Sequence, residues 1–216
     1  MDRTITVKGT GHVTLVPDTA EISLTLRAVD KNYDKAAARA AELLKNLQAS
    51  LGAAGFAPEE LKTACCDIST EYESVEDEKS RWRQVFSGYA CSQNLKLELA
   101  FDNARLAAAL GAITGSIAEP QLNLRFTVKD QKAAADLLLK KAAANARRQA
   151  EILAEASGAA LGSIVRIDYS WDDLYIRSAT ECRVACDTSL KACGLPDLTP
   201  EDIDLTDSAV FVWELV

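Results

Sequence analysis

The hydrophobic pattern of this chain changes period most sharply between Asp130 and Tyr169. Leu138, Ala142, Ala146, Ala150, Leu153 and Ala154 recur at helical spacing, among Lys, Arg, Gln and Glu residues that favour helix. Asp130 stands where a helix N-cap belongs, and Gly158 where a left-handed C-cap belongs. Ile164 to Tyr169 then reads as a buried strand. The helical stripe is mostly alanine, so this helix is expected to lie close against a sheet. Arg147 and Arg148 flank the stripe and can reach water while their stems cover apolar surface.

The other segments sort by the same two periods. Ile5 and Val7 alternate with polar residues up to Gly9-Thr10-Gly11, which is expected to be a turn or bulge. Val13 and Leu15 follow, then Pro17, and then Ala20, Ile22, Leu24, Leu26 and Ala28 alternate as a half-buried strand. Tyr33 to Leu51 is a helix with Ala36, Ala40, Leu43, Leu44, Leu47 and Leu51 on one face, stopped by Gly52 and Gly55. Thr63 to Tyr72 and Val85 to Ala100 are strands joined by a charged hairpin tip, Glu73 to Arg83. Asn103 to Ile113 is a short helix capped by Asp102 and closed by Gly111 and Gly115. Leu122, Leu124, Phe126 and Val128 alternate as a strand, and Ala209, Phe211, Trp213 and Leu215 form the last one. Ser170 to Ser208 breaks the pattern with acidic and turn-forming residues.

The predicted order is β-β-α-β-β-α-β-α-β-β. It suits an α+β fold, mainly antiparallel sheet with helices on one face. A single domain over residues 1–216, with an acidic, cysteine-containing insert at about 170–208, accounts for it.

Composition narrows the function classes. The net charge of -8 argues against a nucleic-acid binder, which needs a basic face. No apolar run is long enough to span a membrane. Met1 to Thr4 leads straight into a strand pattern without the apolar core of a signal peptide, so a cytoplasmic location is expected, with the six cysteines as thiols.

Candidate chemistry is sparse. His12 is the only histidine, so a Ser-His-Asp or Cys-His site would have to use it; beside a glycine bend it reads as a surface residue. Cys65 and Cys66 are adjacent, so in a strand they face opposite sides, one toward the core. Cys182, Cys186 and Cys193 would share one face if their segment were helical. They are the candidate thiolate ligands or redox thiols, set against a plain reading as small apolar residues on a short helix. Asp172, Asp173, Asp187, Asp197, Glu201, Asp202, Asp204 and Asp207 match no calcium-loop spacing and read as a solvated face. No catalytic residue and no cofactor is assigned.

Several short motifs, in order, resemble the SIMPL-domain family, also known as a domain of unknown function (DUF541). They are Gly9-x-Gly11, Pro17-Asp18-x-Ala20, Gly52 with Gly55, Thr63 with Ser69 and Tyr72, and Gly88-Tyr89. Further on come Phe126, Ala142, Ala146, Ala150, Leu153-Ala154, Gly158-x-x-x-Leu161-Gly162 and Pro200-x-x-Ile203. The resemblance implies an α+β fold, a tendency toward closed oligomers and no established enzyme activity. It also implies kinship with exported bacterial proteins linked to oxidative-stress tolerance. The function expected is a non-enzymatic, homo-oligomeric interaction scaffold for an unknown protein partner. The alternatives are a redox- or metal-responsive protein using Cys182, Cys186 and Cys193, and an enzyme with its site between the sheet and the acidic insert.

Overall fold

The computed structural model describes residues 3–76, 82–116, 121–170, 174–185 and 197–216. The first half of the chain forms strands β1 (Thr4–Leu15) and β2 (Thr19–Asp30), helix α1 (Tyr33–Ala53), and strands β3 (Leu61–Glu76) and β4 (Trp82–Ala100). Helix α2 (Asn103–Ser116), strand β5 (Gln121–Thr127), helix α3 (Gln131–Ala156) and strands β6 (Leu161–Asp168), β7 (Glu181–Ala185) and β8 (Ile203–Leu215) complete it. This is the α+β order expected from the periods, with β7 added inside the acidic stretch. The strands form two sheets, ordered β1-β8-β6 and β3-β4-β2-β5-β7. The chain divides into two compact units, residues 1–18, 127–179 and 200–216 in one, 19–126 and 180–199 in the other.

In the first unit α3 lies on β1 and β8. Asp130 caps it by accepting a hydrogen bond from the Ala133 N–H at 2.8 Å. At its end Gly158 takes φ 75°; its N–H reaches the Glu155 carbonyl at 3.0 Å and the Ala159 N–H reaches Ala154 at 2.9 Å. That double bond is the Schellman stop, which glycine adopts without side-chain strain. The buried stripe is Ala134, Leu138, Ala142, Ala146, Ala150 and Ala154, whereas Leu153 is exposed.

The stripe meets glycines. β1 runs unbroken through Gly9 and Gly11, which pair with Ala209 and Asp207 of β8, so the turn or bulge expected there does not exist. A Cβ on Gly9 would strike the Ala142 carbonyl oxygen and come within 2.5 Å of the Ala146 methyl carbon. One on Gly11 would strike the Leu138 carbonyl oxygen. The two glycines are therefore a seat for the helix backbone. β6, expected to be buried, is instead the edge of this sheet, with Ile164, Val165 and Ile167 half exposed. β8 starts at Ile203, six residues earlier than expected. Ile203 and Leu205 alternate inward between Asp204 and Thr206, so part of the presumed insert is strand.

The second unit is held by large side chains. Ile22, Leu24, Leu26, Leu95 and Leu97 form a buried face with Leu47 and Leu51 of α1 and Leu106, Leu110 and Ile113 of α2. Asn32 caps α1 through the Asp34 N–H at 2.9 Å, and Asp102 caps α2 through the Arg105 N–H at 3.0 Å. α1 ends on Gly55 at φ 90°, with the following Phe56 buried in the same core. Gly52, Gly111 and Gly115 lie within their helices and stop neither.

Candidate interaction surface

The β3–β4 hairpin carries a group of five exposed apolar side chains, Tyr72, Val75, Trp82, Val85 and Phe86. Up to Asp30, which pairs with Tyr89, β4 sits between β2 and β3. Beyond that point only β3 and β4 pair, from Glu71 opposite Gly88 to Glu76 opposite Trp82. The register slips at Glu71/Tyr72, where Tyr72 meets Phe86. A Cβ on Gly88 would lie 2.7 Å from the Asp30 carbonyl oxygen, so glycine admits the passing backbone where the ribbon leaves the sheet. The charged tip expected at Glu73 to Arg83 is strand as far as Glu76 and from Trp82 on; 77–81 lie outside the described residues.

Both faces of the ribbon meet solvent. Tyr72, Phe86 and Trp82 lie on one face, and Val75 and Val85 on the other, all between 45% and 71% exposed. The rings continue toward the sheet in edge-to-face contacts, Tyr72–Phe86 at 6.0 Å, Phe86–Tyr89 at 5.3 Å and Tyr89–Tyr33 at 5.7 Å. Such contacts fix ring orientation and add about 1 kcal/mol each beyond burial. Glu73 accepts from the Ser87 hydroxyl at 3.0 Å. β3 is also a sheet edge sixteen residues long, with an open row of backbone groups.

A second apolar feature lies in the first unit. A cleft of about 430 Å³ between α3 and β6 is lined by Leu161, Ile164, Ile167, Phe211 and Trp213. Arg147 and Glu151, also in its wall, pair with each other at 2.9 Å.

The candidate chemical residues are scattered. His12 lies in the body of β1, 62% exposed, with Nδ1 3.3 Å from the Thr206 hydroxyl and Nε2 3.8 Å from Asp204. Thr14 donates to Asp204 at 2.6 Å, so these groups form a polar ladder on the solvent side of β1 and β8. Cys182 is half-buried on strand β7, opposite Leu124, and packs against the leucine core. Residues 181–185 are strand, so the helical premise for the three-cysteine face fails at Cys182; Cys186 and Cys193 lie outside the described residues. Among the described residues no three acidic, cysteine or histidine side chains gather around a metal-sized space. Asp172, Asp173 and Asp187 also lie outside the description. Cys65 and Cys66 are both exposed, against the expectation that one is core; among the described cysteines the buried one is Cys91, on the neighbouring strand. No helix is long and apolar enough to cross a membrane among the described residues.

Sequence comparison adds kinship. The SIMPL family, described as a protein of unknown function (DUF541), matches residues 5–212. The 26 kDa periplasmic immunogenic protein of Brucella abortus is 27% identical over 167 residues, covering 76% of this chain and 65% of that protein. Its namesake in Brucella melitensis is 26% identical over the same lengths. The chain thus spans about two thirds, 65%, of the length of these relatives.

Proposed function

This chain belongs to the SIMPL family, and on that premise we propose that it is a homo-oligomeric interaction scaffold with no reaction of its own. The observation that carries the reading is the two-stranded ribbon with Tyr72, Val75, Trp82, Val85 and Phe86 open to solvent. A lone hairpin is marginally stable in water, and an open strand edge seeks a partner. Contact with a second copy would cover the rings and the outer end of β3 from Tyr72 to Glu76, and a closed symmetric arrangement would leave no edge to propagate there. The reading places the protein in the cytoplasm, which suits Cys65, Cys66, Cys91 and Cys182 as free thiols. The Brucella relatives are called periplasmic, so fractionation of the producing cell is the test of this part.

Light scattering tests the assembly. The expected mass is a multiple of 23.3 kDa, falling when Trp82→Ser and Phe86→Ser are combined, with the fold retained. A constant mass of 23.3 kDa over a wide concentration range overturns the oligomer. Turnover of a small molecule, lost on a single side-chain change in a folded variant, overturns the non-enzymatic part.

A further inference from the structure

Cys66 and Cys91 sit on neighbouring strands in a specific relation. Cys66 lies opposite Gln93, and Cys91 lies opposite Ile68. Cys66 and Ile68 are two positions apart on β3, so the two cysteines are diagonal neighbours on one face of the strand pair. Their surroundings differ. Cys91 is 2% exposed and packs with Ala28 and Ala40, whereas Cys66 is exposed.

We propose that Cys66 and Cys91 form a peroxide-responsive dithiol that closes a reversible disulfide across β3 and β4. The exposed Cys66 thiolate attacks the peroxide O–O bond, giving a sulfenic acid and releasing hydroxide, which takes up a proton as water. The Cys91 sulfur then attacks the Cys66 sulfur, the S–O bond breaks, and a second hydroxide leaves and is protonated. Two thiols and one hydrogen peroxide become one disulfide and two waters, so the peroxide is the two-electron oxidant and no other reactant is required.

Three features support the pairing. Gln93, directly opposite Cys66, has a buried side-chain oxygen with no hydrogen-bond partner in the structure; it is a ready acceptor for a sulfenic acid hydroxyl. Burial pushes the Cys91 thiol up, and the nearby Cys66, as charge and as hydrogen-bond partner, and Asp67 push it further. Cys91 therefore stays a thiol while Cys66 meets the oxidant; the same burial slows its attack on the Cys66 sulfur, so disulfide closure quickens only as pH rises. Finally, β3 is an edge strand whose pairing slips on either side of Cys66, at Thr63/Cys65 and at Glu71/Tyr72. Side chains of diagonal neighbours come within reach of each other across a strand pair, and the slipped edge lets β3 adjust as the bond closes.

The test treats the whole protein with one equivalent of hydrogen peroxide, counts thiols and maps linked peptides. The expected result is loss of two of the six thiols, a Cys66–Cys91 linked peptide and full recovery with dithiothreitol. Cys66→Ser, a surface change, should abolish that loss. Cys91→Ala should leave Cys66 as a sulfenic acid that dimedone traps. If the wild-type map shows Cys91 still free while Cys66 is oxidised alone or joined to another cysteine, the proposal is overturned. Should Cys91→Ala fail to fold, the wild-type map and Cys66→Ser decide the question by themselves.

Discussion

The two units seat their helices by opposite means. α3 meets β1 with Ala142 and Ala146 against Gly9 and Gly11, so backbone touches backbone. α1 meets β2 and β4 through Leu47, Leu51, Ile22, Leu24, Leu26, Leu95 and Leu97, which hold the backbones apart and fill the space between. In the first unit specificity comes from missing atoms. In the second it comes from buried volume. The first cannot accept a methyl group; the second cannot lose one without leaving a cavity.

The sharpest way to break this comparison is Gly11→Val. Its side chain would collide with the Leu138 carbonyl, which no rotamer change can move, so a loss of about 3 kcal/mol or more is expected in urea unfolding. A tolerated valine would mean that α3 does not rest on that strand. In the other unit the opposite change should hurt: Leu24→Ala, at 2% exposure, should cost about 3 kcal/mol by leaving a cavity. Ala146→Leu, fully buried against Gly9, should cost about 2 kcal/mol by overpacking. Equal tolerance of Ala146→Leu and of a same-size swap such as Leu24→Met would erase the distinction between the units. Gly158→Ala should cost about 1 kcal/mol, because the left-handed φ is strained for any side chain while the space around it is open.

The smallest effect expected is a pH dependence of the leucine-cored unit. Burial, followed by Cys66 and Asp67, raises the Cys91 thiol above 9.0. Hydrogen bonds from Lys96 to Glu21 and then Glu98 raise the ammonium group above 10.5. For both groups the protonated form is favoured more in the folded state than in the unfolded one. Their contributions are thus complete below the unfolded values and fade as pH climbs through the folded ones. Tm should therefore decline from pH 9 upward, and Cys91→Ala combined with Lys96→Met should flatten the decline. A profile unchanged by the double substitution would remove these two groups as its cause.

Much of this was readable in the chain. Alternation placed Ala20 to Ala28, Leu95 to Leu99 and Leu122 to Phe126 in strands, and all three runs deliver buried residues on alternate positions. Asp102, Asp130, Gly55 and Gly158 act at helix ends as their types predict, because a cap is decided by a few adjacent residues. What misled was local ambiguity. Gly9-Thr10-Gly11 has the residues of a bend, and only the helix lying on it shows why a straight strand needs glycine there. Ile203 to Ser208 alternates, but its aspartates gave it the composition of a loop. The exposed ribbon was masked in the same way: Glu73 and Glu76 disguise a strand that has no third strand beside it. The Cys66–Cys91 relation was hidden too, because it spans a hairpin whose register no local pattern determines.

By itself, then, the order of residues determined the three helices and every strand but β7, the caps at Asp102, Asp130 and Gly158, and that one helix must pack closely on something. Periodicity and capping act over a few neighbours, so they can be read without a partner in view. Only the tertiary structure decided what that helix sits on, that the strand after it lies at an edge, that the hairpin outruns its sheet, and which cysteines meet. Those outcomes depend on pairing between residues far apart in sequence, such as Gly9 with Ala209 and Ile68 with Cys91, and each strand's neighbours exist only once the chain has folded.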